Sequence, residues 1–105
     1  MLSLFQAEAE YSVEETLKTL QNQEGFQGFI IINKEGIVIR SSLDIESARQ
    51  YACHVHRLVM KTRSTMQVIE PQSDLTILKV LSKKNEILIA PDKDYLVIII
   101  QDPSD

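Results

Sequence analysis

The sequence predicts an α+β domain ordered helix, two strands, helix, three strands. Five mostly antiparallel strands form one sheet, with helices on both faces. Three observations carry that expectation. Tyr95–Leu96–Val97–Ile98–Ile99–Ile100 is an unbroken β-favouring run between the turn-like Pro91–Asp92–Lys93–Asp94 and the stop at Asp102–Pro103. Tyr95, Val97 and Ile99 point to one face and Leu96, Ile98 and Ile100 to the other, so the strand belongs in the middle of a sheet covered twice. A long stretch of helical spacing and three short turn signals then supply a cover and the neighbouring strands.

The first helix has two possible starts. Ser12-Val-Glu-Glu15 forms a capping box, while Phe5, Ala9, Val13, Leu17 and Leu20 keep helical spacing from further back. The Ser12 start is adopted, with residues 1–11 as an N-terminal extension of the domain at 12–105 and Gly25 as the left-handed C′ residue. Gly28–Asn33 and Ile37–Ser41 flank Lys34–Glu35–Gly36 as a hairpin. The first of these strands is apolar on both faces and is expected beside Tyr95–Ile100. The second decays to Arg40, Ser41 and Ser42, which suits an outer position.

From Ile45 to Glu70, residues Ala48, Tyr51, Ala52, Val55, Leu58, Val59, Thr62, Met66 and Ile69 form one apolar stripe. At ~1.5 Å per residue this helix is ~35–40 Å long, longer than the sheet beneath it is expected to be wide. Asp44 is its N-cap and Pro71 its stop. Cys53, Met60 and Val68 lie off the stripe and together suggest a partner on that side. Leu75–Leu81, Glu86–Ala90 and Tyr95–Ile100 complete the sheet, joined by Ser82–Lys83–Lys84–Asn85 and Asp92–Lys93–Asp94.

Composition narrows the function classes. The chain has 105 residues, room for one core. A net charge of −4 argues against non-specific nucleic-acid binding, and one cysteine excludes an internal disulfide. No apolar run approaches the roughly 20 residues that span a bilayer, and the start lacks a basic flank. A soluble intracellular domain is therefore expected.

No catalytic constellation emerges. His54 and His56 sit about 200° apart on a helix and cannot chelate one ion together. Cys53 lacks an orienting base, Asp92–Lys93–Asp94 lacks the glycine and glutamate of a calcium loop, and Gly25-x-x-Gly28 lacks the phosphate-loop ending. Two lysines at a hairpin tip, without aromatic interleaving, serve solubility. No enzyme, metal or cofactor is expected.

Arg63-Ser64-Thr65, Ile69-Glu70-Pro71-Gln72-Ser73-Asp74-Leu75-Thr76, Ser82-Lys83-Lys84-Asn85-Glu86-Ile87, Ala90-Pro91-Asp92-Lys93-Asp94-Tyr95 and Ile100-Gln101-Asp102-Pro103 closely resemble the roadblock family of dynein light chains. Val13-Glu14-Glu15-Thr16-Leu17 and Asn33-Lys34-Glu35-Gly36-Ile37 match the front of the same family. Lys79, Leu81 and Thr62 depart from its usual pattern, and residues 1–11 extend beyond its usual start.

The resemblance implies a non-catalytic light chain that pairs with itself or another roadblock chain and binds the dynein intermediate chain. It would act in microtubule-based transport or in an axoneme, with no nucleic acid or membrane as partner. Family members join third strands and pack second helices. That implies a dimer interface of Cys53, Met60, Leu75, Thr76, Ile77, Leu78, Lys79, Val80 and Leu81. The short first helix looks too small to cover its face of the sheet, so the intermediate chain is expected at Val13, Leu17 and Leu20. Roadblock-like domains elsewhere also partner small GTPases, which gives the alternative of a GTPase-regulating scaffold.

Overall fold

The strand with two apolar faces lies at the centre of the sheet. In the computed structural model, which describes residues 18–72 and 74–103, five strands run in the order β2–β1–β5–β4–β3, every neighbouring pair antiparallel. They are β1 (Phe26–Asn33), β2 (Val38–Ser41), β3 (Leu78–Leu81), β4 (Glu86–Asp92) and β5 (Tyr95–Gln101). The first and last strands pair along Phe26–Asn33, as expected from their matching two-faced patterns. Residues 18–21 are helical, and the long helix α1 spans Ile45–Ile69.

Parity sorts the core into two layers. Ile30, Ile32, Ile89, Leu96, Ile98 and Ile100 meet Ala48, Ala52, Val55 and Val59 of α1. Phe29, Ile31, Leu88, Val97 and Ile99 form the opposite layer with Leu20. Leu20 is only 1% exposed, so it is spent on this chain's own core. Small alanines at 48 and 52 let the helix sit close to the sheet, where burying each large aliphatic side chain is worth about 1.5–3 kcal/mol.

Several boundaries differ from the sequence expectation, each for a local reason. The described helical residues end at 21, so Gly25 is not a helix C′ residue. With φ 86° it turns the chain into β1, and its carbonyl accepts the Asp102 N–H at 2.7 Å, which ties β1 to the end of β5. β1 accordingly starts at Phe26, and β2 starts at Val38. β4 continues through Pro91 to Asp92, with Pro91 opposite Leu96. β3 begins at Leu78 rather than Leu75, because residues 74–77 have no strand partner among the described residues. The capping box at Ser12, the start of the first helix, and residues 1–11 lie outside the described residues.

Asp44 caps α1 as expected, accepting the Ser47 N–H at 3.0 Å. The apolar stripe is buried only over the first part of the helix, at Ala48, Ala52, Val55 and Val59. Leu58 is exposed because it overhangs the partly uncovered strands β3 and β4. Ile69 is exposed, and Thr62 and Met66 are half-buried, where α1 runs on past its last buried residue, Val59. The turn between β1 and β2 is organised by Asn33, whose Oδ1 accepts the N–H of Glu35 at 3.0 Å and of Ile37 at 2.9 Å. Gly36 there has φ 85°, and a Cβ on it would lie 3.0 Å from the His56 ring. His56 in turn donates Nε2–H to the Lys34 carbonyl at 2.9 Å, docking the turn on the helix.

Candidate dimerisation and partner surface

β3 is the last strand of the sheet, and only β4 pairs with it among the described residues. Its free backbone edge is therefore open to another strand. Leu78 and Val80, opposite Ile89 and Ile87, turn half-buried toward the helix side, while Lys79 and Leu81 face the other way and are exposed. Leading into it, Leu75 packs against the helix-side core, whereas Thr76 and Ile77 are exposed.

Beside this edge an apolar groove of about 420 Å³ runs between α1 and the outer strands, lined by Tyr51, Val55, Leu58, Val80, Ile87 and Ile89 with His54 at its rim. The groove exists because α1 sits over the β1 side of the sheet and leaves the helix-facing side chains of β3 and β4 partly uncovered. Strand edge and groove make one continuous surface of backbone donors, acceptors and aliphatic side chains.

An ion pair fixes the strand that carries this edge. Glu86 is 2% exposed, and its carboxylate takes the Lys79 ammonium at 2.7 Å and the amide of Gln101. Register explains the grouping, since Glu86 lies opposite Leu81 on one side and Gln101 on the other, with Lys79 diagonal to it. The connecting turn is closed by Ser82, whose N–H donates to the Asn85 carbonyl at 2.9 Å while its Oγ accepts the Asn85 N–H at 3.2 Å. The run Ser82–Asn85 is thus a hairpin clasp that sets the register of β3.

The expected dimer residues Leu75, Thr76, Ile77, Leu78, Lys79, Val80 and Leu81 fall together along this edge, with Lys79 committed to Glu86. Cys53 and Met60 are exposed on α1 but face other recesses, Cys53 toward β2 and Met60 beside Lys34 and Tyr95. Tyr51, His54 and Leu58 line the β3-side groove instead; the i, i+3, i+4 spacing of Tyr51, His54, Val55 and Leu58 was the available signal for it. Of the residues expected to meet the intermediate chain, Leu20 is buried, and Val13 and Leu17 lie outside the described residues. Glu86 was expected only as the opening residue of its strand, because nothing local to a lone acid signals that the fold will bury it.

Other polar candidates serve local structure. Asp94 pairs with Lys34 at 3.0 Å between two exposed turns, and Asp102 accepts from Gln27 at 2.8 Å. Among the described residues no three His, Cys, Asp or Glu side chains converge as metal ligands, and no helix is long and apolar enough to cross a membrane.

Comparison with known proteins matches the geometry. The fold resembles a Roadblock/LC7 domain from Streptomyces avermitilis at 15% identity, TM-score 0.75, covering 82% of this chain and 73% of that one. It also resembles Myxococcus xanthus MglB at 14% identity, TM-score 0.69, covering 85% and 73%. The gliding protein MglB of Thermus thermophilus matches at 12% identity, TM-score 0.68, covering 88% and 76%. At such identities these likenesses speak for the fold alone. The model of the Roadblock/LC7 domain family matches residues 12–102, nearly the whole chain, and the chain belongs to that family.

Proposed function

We propose that this chain is a non-catalytic dynein light chain that dimerises through β3 and binds the dynein intermediate chain, supporting motor assembly and cargo attachment on microtubules of the cytoplasm or an axoneme. The observation that carries the dimer is the open β3 edge continuous with the Tyr51–Leu58 groove, a surface that strand pairing and helix packing would bury together. The partner chain is the same chain or another roadblock chain. The dynein role rests on the Ser82–Tyr95 run and its close likeness to the light chains. Val13 and Leu17 stay the proposed intermediate-chain contacts, with Leu20 already seated in the core.

A second reading, a regulatory scaffold for small GTPases, is supported by the matched solved structures, which are bacterial roadblock and MglB chains. The solved structures lean toward this reading, the residue run toward the first.

Sedimentation of the wild type at micromolar concentration should give a dimer. Leu81→Arg, placed on a 57% exposed edge residue, should give a folded monomer; a wild-type monomer would overturn the dimer. Leu78→Arg is a less clean probe, since Leu78 also packs on the chain's own core. Capture of purified intermediate chain supports the first function. Acceleration of GTP hydrolysis by a candidate GTPase, without such capture, supports the second.

A further inference from the structure

The edge of the sheet opposite β3 carries a second surface, separate from the β3 edge and its groove. Between β2 and α1 lies a recess of about 660 Å³. Three large aliphatic residues stand on it largely uncovered: Ile37, Ile39 and Ile45 are 59%, 55% and 70% exposed. Exposed apolar groups gathered at one place mark a binding surface more often than scattered ones do.

Charge distinguishes this recess from the rest of the molecule. The chain carries 15 acidic against 11 basic residues, yet α1 has Arg49, Arg57, Lys61 and Arg63 against Glu46 alone. Arg49 and Arg57 of α1 and Arg40 of β2 line the recess, where Glu35 is the one acidic residue. Among the described residues no ion pair reaches Arg49 or Arg57. Arg49 and Arg57 beside an aliphatic floor match a ligand that is apolar on one side and acidic on the other.

The strand itself is a poor template for extension. β2 is only four residues long, and its pairing with β1 is interrupted by a bulge between Ile31 and Ile32. A short, bulged edge resists addition of another strand. The occupant therefore lies in the seam between strand and helix.

We propose that the α1–β2 recess docks an acidic, amphipathic segment of a partner protein, its apolar side chains on Ile37, Ile39 and Ile45 and its carboxylates on Arg49 and Arg57. Because β2 and β3 are opposite edges of the sheet, pairing through β3 leaves one such recess at each end of the assembly. The count of two rests on the dimer reading; the recess does not.

The test uses the full chain and a fluorescein-labelled peptide of about 20 residues, long enough to hold a helix, with Leu at i, i+3, i+4 and i+7, Glu flanking that stripe and Ala elsewhere. An isomer with Lys in place of every Glu is the comparison. Fluorescence anisotropy should show saturable binding of the acidic peptide that weakens as salt shortens the screening length. Arg49→Glu with Arg57→Glu should weaken it at least about tenfold, whereas Lys83→Glu with Lys84→Glu at the hairpin tip should not.

Equal binding of the Lys isomer, no saturable binding, or an unaffected arginine variant overturns the proposal. Capture of anionic lipid vesicles in place of the peptide also overturns it. So does loss of a wild-type dimer in the arginine variant, which would assign the recess to a second copy of this chain. A monomeric wild type that still binds the peptide sustains the recess and removes only the dimer reading.

Discussion

Asp44 shows how one side chain links sequence, local geometry and solution conditions. Its carboxylate accepts the Ser47 backbone N–H and is also hydrogen-bonded by the Ser47 side chain, and both hold its pKa below the ordinary 3.8. A depressed folded pKa means the charged cap contributes fully above the unfolded value and is lost as pH falls through the folded one. Asp44→Asn keeps an accepting oxygen without a charge. Wild type should therefore melt above the Asn variant at pH 7, with the gap closing as pH falls below the ordinary carboxylate range; a gap constant across that fall would contradict the account. Lys93 lies in the left-handed region at φ 49° inside the β4–β5 turn. Lys93→Val, branched where branching is least tolerated, should cost about 1–2 kcal/mol in urea unfolding. Asp44 was readable as a cap because the motif is local. Asn33 was not, because its role depends on which turn the chain adopts between β1 and β2.

At the scale of elements, the β3–β4 hairpin rests on a buried charge. Lys79→Met removes the Lys79 ammonium from the buried Glu86 carboxylate. That should cost about 1–3 kcal/mol, below the usual loss for a broken buried pair because Lys79 is itself half-exposed. Lys79→Met with Glu86→Leu should recover most of the loss by denaturant titration, since an apolar pair removes both charges; a double variant no better than the single would place the effect elsewhere. The core strands were legible because Ile30, Ile32, Ile98 and Ile100 are apolar in a context where neighbours are too. The beginning of β3 was not, because Leu75 and Ile77 favour strand whether or not another strand runs alongside. The stripe on α1 likewise recorded Leu58 and Ile69 as inward. Periodicity reports direction around a helix and carries no record of where the sheet beneath ends, which leaves Ile69 bare, or of which strands the helix covers, which leaves Leu58 on the groove.

At the scale of the molecule, the two sheet edges carry different surfaces. One edge meets the groove at Tyr51 and Leu58, the other the arginine-lined recess. If the first edge pairs two chains, folding and association are linked, and the melting temperature should rise as protein concentration is raised a hundredfold. A melting temperature independent of concentration would leave the β3 edge without a second copy. The family resemblance was legible in the run from Ser82 to Tyr95, and the structure explains that run as the clasp and turns that hold β3, β4 and β5 in register. The recess beside β2 was not legible, since Ile37, Ile39, Ile45, Arg49 and Arg57 are ordinary residues until the fold brings a strand and a helix together.

The pairing of β1 with β5 has a consequence for how the protein is made. The sheet's centre joins an early strand to the last one, so it cannot close until β5 has left the ribosome. Before that moment the nascent chain already contains the β3–β4 hairpin, complete in sequence and lacking its inner neighbour. Such a species displays apolar strand on two sides and is vulnerable to wrong pairing. Loss of β5 would therefore leave two separated half-sheets in place of a slightly smaller domain, and quality control during synthesis would meet those half-sheets before it met the folded domain.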